Sequence, residues 1–307
     1  MPKKIRVTAS LTTMPNQYDK TILTLQSLHK QTYKLDAIYL SLPEKSRRLQ
    51  IEYPPVPDEL NQLCTVIKCA DMGPITKLLG GLLAEQDPNT VIITFDNDMV
   101  YPDTMVENLV KNHLEYPNSA IGSAGMLLRY NCPMCAITPN ENNYLYNISK
   151  FYVPTTGRVV DSVYGYPGAL YIRNFFPEKA DLHDKFLKYS LLNNETLLND
   201  DIIISGYLSL HNIERRIFPD MPAVNFVLQD GERKRTESEI SYDMDKFFQR
   251  MNVSIDTAKS VGMYQETQPI NFSESILGIG FIVVISIIII IIICYLLINP
   301  PNAAFRI

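Results

Sequence analysis

The chain has 307 residues, of which 46% are hydrophobic and 20% charged, and this length accommodates one large globular domain or two small ones. The net charge of −5 is small and spread along the chain. The sequence has no cluster of basic residues of the kind that binds nucleic acid. Composition therefore argues against a nucleic-acid-binding protein and is typical of an ordinary globular protein.

Strand and helix patterns alternate along the first 115 residues. Short apolar or β-branched runs predict strands, and segments with an apolar stripe at helical spacing predict the helices between them. The predicted strands are Lys4–Leu11, Ala37–Leu42, Cys64–Lys68 and Val91–Phe95, and the predicted helices are Asp19–Lys30, Gly73–Ala84 and Pro102–Glu115. Strands separated by helices form βαβ units, so the sequence predicts an α/β fold with a mostly parallel, Rossmann-like sheet flanked by helices.

The pattern is weaker in the rest of the chain. Four prolines and several charges predict a surface loop over 42–60, and 130–154 is predicted as a long loop of the kind that often carries function in enzymes. The further predicted elements are a strand at Arg158–Val163, helices at Pro177–Leu192 and 202–211, and a short strand at Glu214–Phe218. We therefore predict one domain over 1–220, followed by a polar connecting segment over 221–275.

An uncharged stretch of 23 residues, Ile276–Ile298, lies near the C-terminus and contains seven consecutive isoleucines. As a helix it is about 34 Å long, enough to cross a hydrocarbon core of about 30 Å. A buried core helix is the alternative, but core helices are rarely apolar on every face for six turns. The N-terminus lacks the apolar run of a signal peptide. The sequence therefore predicts a single-pass tail anchor with a short tail over 299–307 and the domain in the cytosol, at a cellular, viral or host membrane.

Two carboxylates follow the most strongly apolar predicted strand, Val91–Phe95. Asp96 and Asp98 are two residues apart, so in extended backbone they point to the same side. Two such charges about 4 Å apart repel by roughly 4 kcal/mol at an effective dielectric of 20. A hard divalent cation removes that repulsion, so the pair predicts a Mg²⁺ or Mn²⁺ site. The alternative is a solvated strand end or a helix cap, where aspartate is also favoured.

Two earlier segments carry side chains suited to a nucleotide. Ser10 and Thr12 end the first predicted strand, where hydroxyls and exposed amides can hold a base or ribose. Asp71 and Lys77 flank Gly73-Pro74 at the start of a predicted helix, where the glycine permits close approach, the lysine offers a charge for phosphate, and the helix N-terminus favours anions. The alternatives are a simple strand-to-loop transition and a solvated surface lysine.

Two later segments are suited to an acceptor molecule. The turn Gly165–Gly168 places the aromatic ring of Tyr166 between glycines, and we expect Tyr166 and Gly168 to contact a sugar face; the alternative is a tight turn with the tyrosine in the core. Asp200 and Asp201 precede the predicted helix 202–211. One carboxylate can cap that helix and the other can accept a proton from a hydroxyl group. Without the Asp96/Asp98 pair, two capping or solvated residues would be the simpler interpretation.

Six motifs occur in order over about Lys4–Phe218: LTTMP, DAIYLSLP, GPITKLL, VIITFDNDMVYP, VYGYPGALY and NDDIIISGYL. Together they resemble a group of aspartate-x-aspartate glycosyltransferases with the GT-A fold, similar to family 2, found in bacteria and large DNA viruses such as chloroviruses. The resemblance implies a nucleotide-diphosphate sugar donor, with a UDP-sugar favoured, and Mn²⁺ or Mg²⁺. It also implies a glycan, protein or lipid hydroxyl as acceptor. The positions matched are Ser10 and Thr12 for the nucleotide, Asp71, Lys77, Asp96 and Asn97 for the donor, Asp96 and Asp98 for the metal, and Asp201 for the catalytic base.

The predicted reaction is an inverting sugar transfer, in which Asp201 takes the proton of the acceptor hydroxyl. The pair Asp200-Asp201 departs from the Glu-Asp of the family, so either carboxylate remains open as the base, and a retaining reaction would need neither. One alternative is a phosphatase similar to the haloacid dehalogenases, although in those enzymes the aspartate follows the first strand and here it follows about the fourth. The other is a membrane-tethered binding protein that has a transferase-like fold without activity.

Overall fold

The computed structural model describes residues 5–128, 145–147, 157–177, 182–218, 221–222, 224–227 and 244–265. The chain divides into two compact units, Met1–Gln268 and Pro269–Ile307, and every element described below belongs to the first. The predicted membrane span Ile276–Ile298 and nearly all of the predicted loop 130–154 lie outside the described residues. Among the helices that the structure describes, none has the length and apolar character needed to cross a bilayer.

The alternation predicted for the first 115 residues is confirmed. Each predicted strand and helix is present, with ends shifted by up to three residues, and the predicted loop over 42–60 gives way to a short unpredicted helix near its end. The elements are β1 (Val7–Thr12), α1 (Tyr18–His29), β2 (Ala37–Leu42), α2 (Asp58–Leu63), β3 (Thr65–Lys68), α3 (Thr76–Ala84), β4 (Val91–Thr94), β5 (Met99–Val100) and α4 (Met105–Glu115).

The second half contains more strands than the sequence predicts. The elements are β6 (Ser119–Gly122), β7 (Gly125–Leu128), β8 (Leu145–Asn147), β9 (Arg158–Val159), β10 (Ser162–Val163), β11 (Ala169–Ile172), α5 (Leu182–Ser190), α6 (Asp200–Leu210), β12 (Glu214–Ile217), β13 (Asn225–Phe226) and α7 (Met244–Ser260). The strand predicted at Arg158–Val163 is two short strands, which pair with different sheets. The single predicted strand is therefore wrong. The break lies at Asp161, whose backbone N–H bonds the Met126 carbonyl at 3.0 Å instead of continuing the pairing of β9.

The main sheet has eight strands in the order β3-β2-β1-β4-β11-β6-β12-β9. Strand β1 is parallel to both β2 and β4, whereas β11 is antiparallel to both of its neighbours. The chain builds outward from β1 to β3 on one side and then places β4 on the other, so the strand order reverses between β1 and β4. Open α/β sheets bind ligands at such a switch point, outside the carboxyl ends of the strands. The predicted α/β class is confirmed, and the topology places a ligand crevice beside the ends of β1 and β4.

Helix α3 is fixed closely against the sheet at this crevice. An ideal Cβ on Gly81 would lie 2.7 Å from Ile92 Cγ2, so only glycine permits this approach. The Ser10 hydroxyl is fully buried; it donates to the Lys77 carbonyl at 2.5 Å and accepts from the Gly81 N–H at 3.0 Å. These contacts fix the first turn of α3, and therefore the start of the Lys77 side chain, at the end of β1.

The segment 221–275, predicted as a polar connector, contains a helix that belongs to the domain. Met251 and Ile255 on α7 are buried in one cluster with Ile202 of α6. The Asn199 side-chain nitrogen, at the start of α6, also donates to Ser254 Oγ at 2.7 Å. The connector prediction is wrong for α7 because the high polar content of this stretch hides a narrow apolar face. The consequence for the site is that α7 holds the N-terminus of α6.

Truncation tests this assignment of α7. A chain that ends at Gln268 is expected to fold, whereas one that ends at Val227 is expected to aggregate. The shorter chain loses the buried side chains of Met251, Ile255 and Tyr264. Each stabilises a fold by about 1.5–3 kcal/mol, and the sum is a large part of a typical stability of about 5–15 kcal/mol. Size-exclusion chromatography and thermal unfolding measure the outcome, and two equally monomeric and stable chains would show that α7 is dispensable.

Candidate active site

The loop after β4 is tied to the start of α1 through Asn97. The Asn97 side-chain nitrogen donates to Thr13 Oγ1 at 3.0 Å, Gln17 Oε1 at 3.1 Å and Thr21 Oγ1 at 3.2 Å. Two amide protons shared among three acceptors leave this nitrogen no proton for a ligand. The Asn97 nitrogen therefore ties the loop after β4 to the start of α1, and the contact of Asn97 with the donor stays a prediction.

Lys77 lies at the centre of the site and joins two elements that the sequence keeps far apart. Its side chain is only 5% exposed. The ammonium makes a short hydrogen bond to Asp96 Oδ1, after β4, and lies 2.8 Å from Asp200 Oδ2, at the start of α6. Burial alone would lower the pKa of Lys77, but the carboxylates of Asp200 and Asp96 outweigh burial and hold that pKa well above its ordinary value. The lysine is therefore charged and serves as the counter-ion of both carboxylates.

Asp201 lies beside this ion pair under a backbone turn. Its Oδ1 accepts the N–H of Gly165 at 2.8 Å. Burial, followed by the adjacent charge of Asp200, raises the pKa of the Asp201 carboxyl well above its usual range, against the opposing effects of Lys77 and the Gly165 N–H. The ordinary acidity expected from the residue type alone does not hold here. A raised pKa makes a carboxylate a stronger base, and a general base works best when its pKa approaches the working pH.

The turn Gly165–Gly168 covers the carboxylates and presents one aromatic ring. The Gly168 N–H donates to the Gly165 carbonyl at 2.9 Å, which closes the turn. An ideal Cβ on Gly165 would lie 3.1 Å from Asp201 Oδ1 and 3.3 Å from Lys77 Nζ, so a side chain there would crowd the charged groups. Tyr166 is 43% exposed. It is the side chain of this turn that a ligand can reach.

Gly168 has a structural role rather than the predicted contact with an acceptor. Its φ of +96° is a conformation that residues with a Cβ rarely adopt. It is also buried, and an ideal Cβ there would lie 3.1 Å from Phe95 Cε1. The prediction for Gly168 is wrong because the residue packs below the turn and its N–H is already bonded.

The side chains expected at the nucleotide divide into buried and accessible ones. The predicted contact of Ser10 with the nucleotide is wrong, because its hydroxyl is buried and bonds only the backbone of α3. Thr12 is half-buried and donates its hydroxyl proton to the Ser41 carbonyl at 2.9 Å, which joins β1 to β2. Its contact with a nucleotide stays a prediction.

Asp71 organises the loop that leads into α3. Its Oδ1 accepts the Gly73 N–H at 2.7 Å, and its Oδ2 accepts the Arg47 N–H at 2.6 Å. Gly73 has a φ of +68°, and an ideal Cβ there would lie 2.0 Å from the Leu197 carbonyl oxygen, so glycine is required. The structure thus gives Asp71 the role of shaping the loop before Lys77, and a direct contact with the donor stays a prediction.

The oxygen ligands of the loop after β4 are chemically suited to a divalent cation. Asp96 gives one carboxylate oxygen to Lys77 and is still 30% exposed, and Asp98 is half-buried two residues later. Among the described residues, no group of three or more His, Cys, Asp and Glu side chains is arranged to hold a metal. Two carboxylates are nevertheless enough for Mg²⁺, which commonly takes its remaining ligands from water and substrate phosphates. Asp96 and Asp98 therefore fit such an ion.

Two residues at the site have no assigned role in the sequence-based prediction. Gly165 supplies the N–H that holds Asp201, and Tyr101 lies between the Asp96 loop and the Tyr166 turn. Glycine at Gly165 carries a weak signal, since it begins a Gly-x-Pro-Gly turn. Tyr101 lies inside the motif VIITFDNDMVYP, but its burial and partners follow from tertiary structure and leave no local pattern.

Comparison with known proteins gives little that is specific. No protein-family model matches the chain, and no curated protein matches it. Among solved structures, the chain is similar to residues 1–349 of TarS from S. aureus, with 12% identity and a TM-score of 0.40. The similarity covers 70% of this chain and 58% of that one, so the chain spans less than two thirds of TarS 1–349. A similarity at this level establishes neither a shared fold nor a shared activity. What the topology and the site define is an α/β protein with a lysine–carboxylate crevice at its switch point.

Proposed function

We propose that this chain is a GT-A glycosyltransferase that moves a sugar from a nucleotide-diphosphate sugar to a hydroxyl acceptor. The observation that carries the proposal is the position of Lys77, whose buried ammonium contacts both Asp96 and Asp200. A metal motif and a candidate base at the start of a helix thereby meet in one crevice at the switch point. The ordered motifs that resemble this class of enzyme converge on the same residues.

The donor side of the proposed site consists of Asp96, Asp98 and Lys77. A Mn²⁺ or Mg²⁺ ion held by the two aspartates would bind the diphosphate and stabilise the charge that develops on it. The Lys77 ammonium, fixed by Asp96 and Asp200, would add a positive charge that needs no reorganisation during the reaction. We favour a UDP-sugar as donor because of the family resemblance.

The acceptor side consists of Asp201 and the exposed ring of Tyr166. The Asp201 carboxylate takes the proton of the acceptor hydroxyl, and that oxygen forms a bond to the anomeric carbon. The bond from the anomeric carbon to the diphosphate breaks, and its electron pair leaves with the nucleotide diphosphate. A single direct displacement of this kind inverts the configuration at the anomeric carbon. An aromatic ring beside the base suits the C–H face of a sugar, so a glycan is the acceptor that the geometry favours over a protein or lipid hydroxyl.

Membrane attachment remains part of the proposal. The span predicted at Ile276–Ile298 would tether the catalytic unit through the segment after α7, with that unit in the cytosol. The length and uncharged character of the segment support the span itself.

Metal dependence tests the proposed function. EDTA is expected to abolish nucleotide release from the sugar donor, and Mn²⁺ to restore it. The Asp98→Asn variant should fold but lose Mn²⁺ binding and activity, because it removes one of the two charged ligands. Asp103→Asn is the matched control, since Asp103 is exposed and lies just beyond the same loop. Calorimetric Mn²⁺ titration and nucleotide release measure both effects. Full activity in EDTA would contradict the metal site, and hydrolysis of p-nitrophenyl phosphate in place of sugar nucleotides would favour the phosphatase.

A further inference from the structure

The hydroxyl of Tyr101 connects the two sides of the proposed site. Tyr101 is 1% exposed, so its hydroxyl bonds only protein atoms. The hydroxyl accepts the Asp96 N–H at 2.9 Å and donates to the Tyr166 carbonyl at 2.9 Å. One buried oxygen therefore bridges the loop that carries the donor-side aspartates and the turn that carries the acceptor-side ring.

The rest of the Tyr101 residue is held independently of this hydroxyl. Its ring meets Phe95 edge-on, with ring centroids 4.5 Å apart, and its backbone N–H donates to Ser27 Oγ at 3.1 Å. The packing of the ring and the bridge made by the hydroxyl can thus be separated by a single substitution.

The bridge reaches the proposed base through the backbone. The Tyr166 carbonyl belongs to the turn Gly165–Gly168, and the first N–H of that turn holds Asp201 Oδ1 at 2.8 Å. A shift of the turn relative to Asp96 would therefore move Asp201 relative to the donor. Misplacement of reacting groups by about 1 Å can lower a rate by about 10²-fold.

We propose that Tyr101 is a positioning residue, whose hydroxyl holds the Asp96 loop and the Gly165–Gly168 turn in the register that brings Asp201 to the donor. This inference rests on the proposed function. It assigns to Tyr101 an effect on turnover rather than on donor binding, because the groups that would hold the donor are the side chains of Lys77, Asp96 and Asp98.

The Tyr101→Phe variant of the full chain tests the inference, since it keeps the ring and removes only the bridging oxygen. The assay is Mn²⁺-dependent nucleotide release from the sugar nucleotide that the wild type turns over, with water as acceptor. The kcat is expected to fall about 10-fold or more, with the KM for the donor within about 3-fold of wild type, on the scale of positioning effects. A merely structural role would lower the melting temperature without this split between kcat and KM.

Tyr39→Phe is the matched control. Tyr39 is also buried, and its hydroxyl donates to Glu85 Oε1 at 2.6 Å, at the end of α3 opposite Lys77. This variant should lose stability without a change in kcat or KM. If Tyr101→Phe is unfolded at the assay temperature, kcat and KM of this variant and of the wild type are compared at a lower temperature at which circular dichroism shows both to be folded.

The outcomes separate this inference from the proposed function. If the wild type releases nucleotide from no donor, the proposed function fails. If the wild type is active and folded Tyr101→Phe keeps the wild-type kcat, the positioning role of Tyr101 is overturned while the proposed function stands.

Discussion

Replacing Lys77 by methionine is expected to cause the largest combined loss of activity and stability. The variant keeps the aliphatic stem and removes the ammonium that contacts Asp96 and Asp200. Removal of one partner from a buried ion pair destabilises a protein by about 3–5 kcal/mol. Loss of a fixed charge aimed at a leaving group lowers turnover by about 10²–10³-fold. Denaturant unfolding at neutral pH and nucleotide release measure the two effects.

The stability of the Lys77→Met variant should also depend on pH in a defined direction. Burial and Asp200 already raise the pKa of Asp201, and loss of the lysine charge raises it further. A group whose folded-state pKa exceeds its unfolded value of about 3.9 binds more protons when folded, so its contribution to stability falls as pH rises through the folded pKa. The variant should therefore regain stability as pH falls from neutral towards that unfolded value.

A lysine on the surface provides the control for this experiment. Lys111 lies on α4 and is exposed, so Lys111→Met should leave activity and stability near the wild-type values. If Lys77→Met behaves like Lys111→Met in both assays, the buried ammonium is not the centre of the site.

Replacing Asp201 by asparagine is expected to remove turnover while leaving donor binding intact. Asparagine has the same size, and its carbonyl oxygen can still accept the Gly165 N–H. Stability at neutral pH should not fall, because the substitution removes a carboxyl group whose charge is disfavoured in the folded state. Loss of a general base lowers turnover by about 10²–10⁴-fold. Rate measurements should show this loss, and calorimetry should show a donor Kd near that of the wild type.

Asp200→Asn is the comparison that decides which carboxylate is the base. Asp200 is paired with Lys77, so this variant should lose stability and have a smaller effect on turnover than Asp201→Asn. The reverse order of the two effects on turnover would make Asp200 the base. If neither substitution changes turnover by more than a few-fold, a retaining reaction or another carboxylate must replace this account.

The fold was predictable where neighbouring residues determine structure. The apolar runs and helical stripes of the first 115 residues predict β1 to β4 and the helices between them, because periodicity records which face is buried. Strand β11 shows the limit of this reasoning, since its antiparallel position between β4 and β6 depends on pairing over long sequence distances. Helix α7 shows a second limit, because its buried apolar residues Met251, Ile255 and Ala258 are separated by polar residues within a stretch that is rich in charge.

The site was predictable in its residue types but only partly in its contacts. Asp96, Lys77, Asp200 and Asp201 are each marked by their place at the end of a strand or the start of a helix, and the structure brings these four together. Their pairing through one ammonium is a tertiary contact that no local spacing encodes. Ser10 carries a hydroxyl at the expected strand end, but the close approach of α3 buries it, and sequence alone does not reveal how tightly a helix packs.

The most direct test of the central claim is a panel of UDP- and GDP-sugars incubated with the full chain in Mn²⁺ and in EDTA, with release of nucleotide diphosphate as the readout. We expect release from at least one donor in Mn²⁺, none in EDTA, and a strong reduction in both the Lys77→Met and the Asp201→Asn variants. Folded wild-type protein that neither binds nor turns over any of these donors in Mn²⁺ would contradict the assignment as a glycosyltransferase.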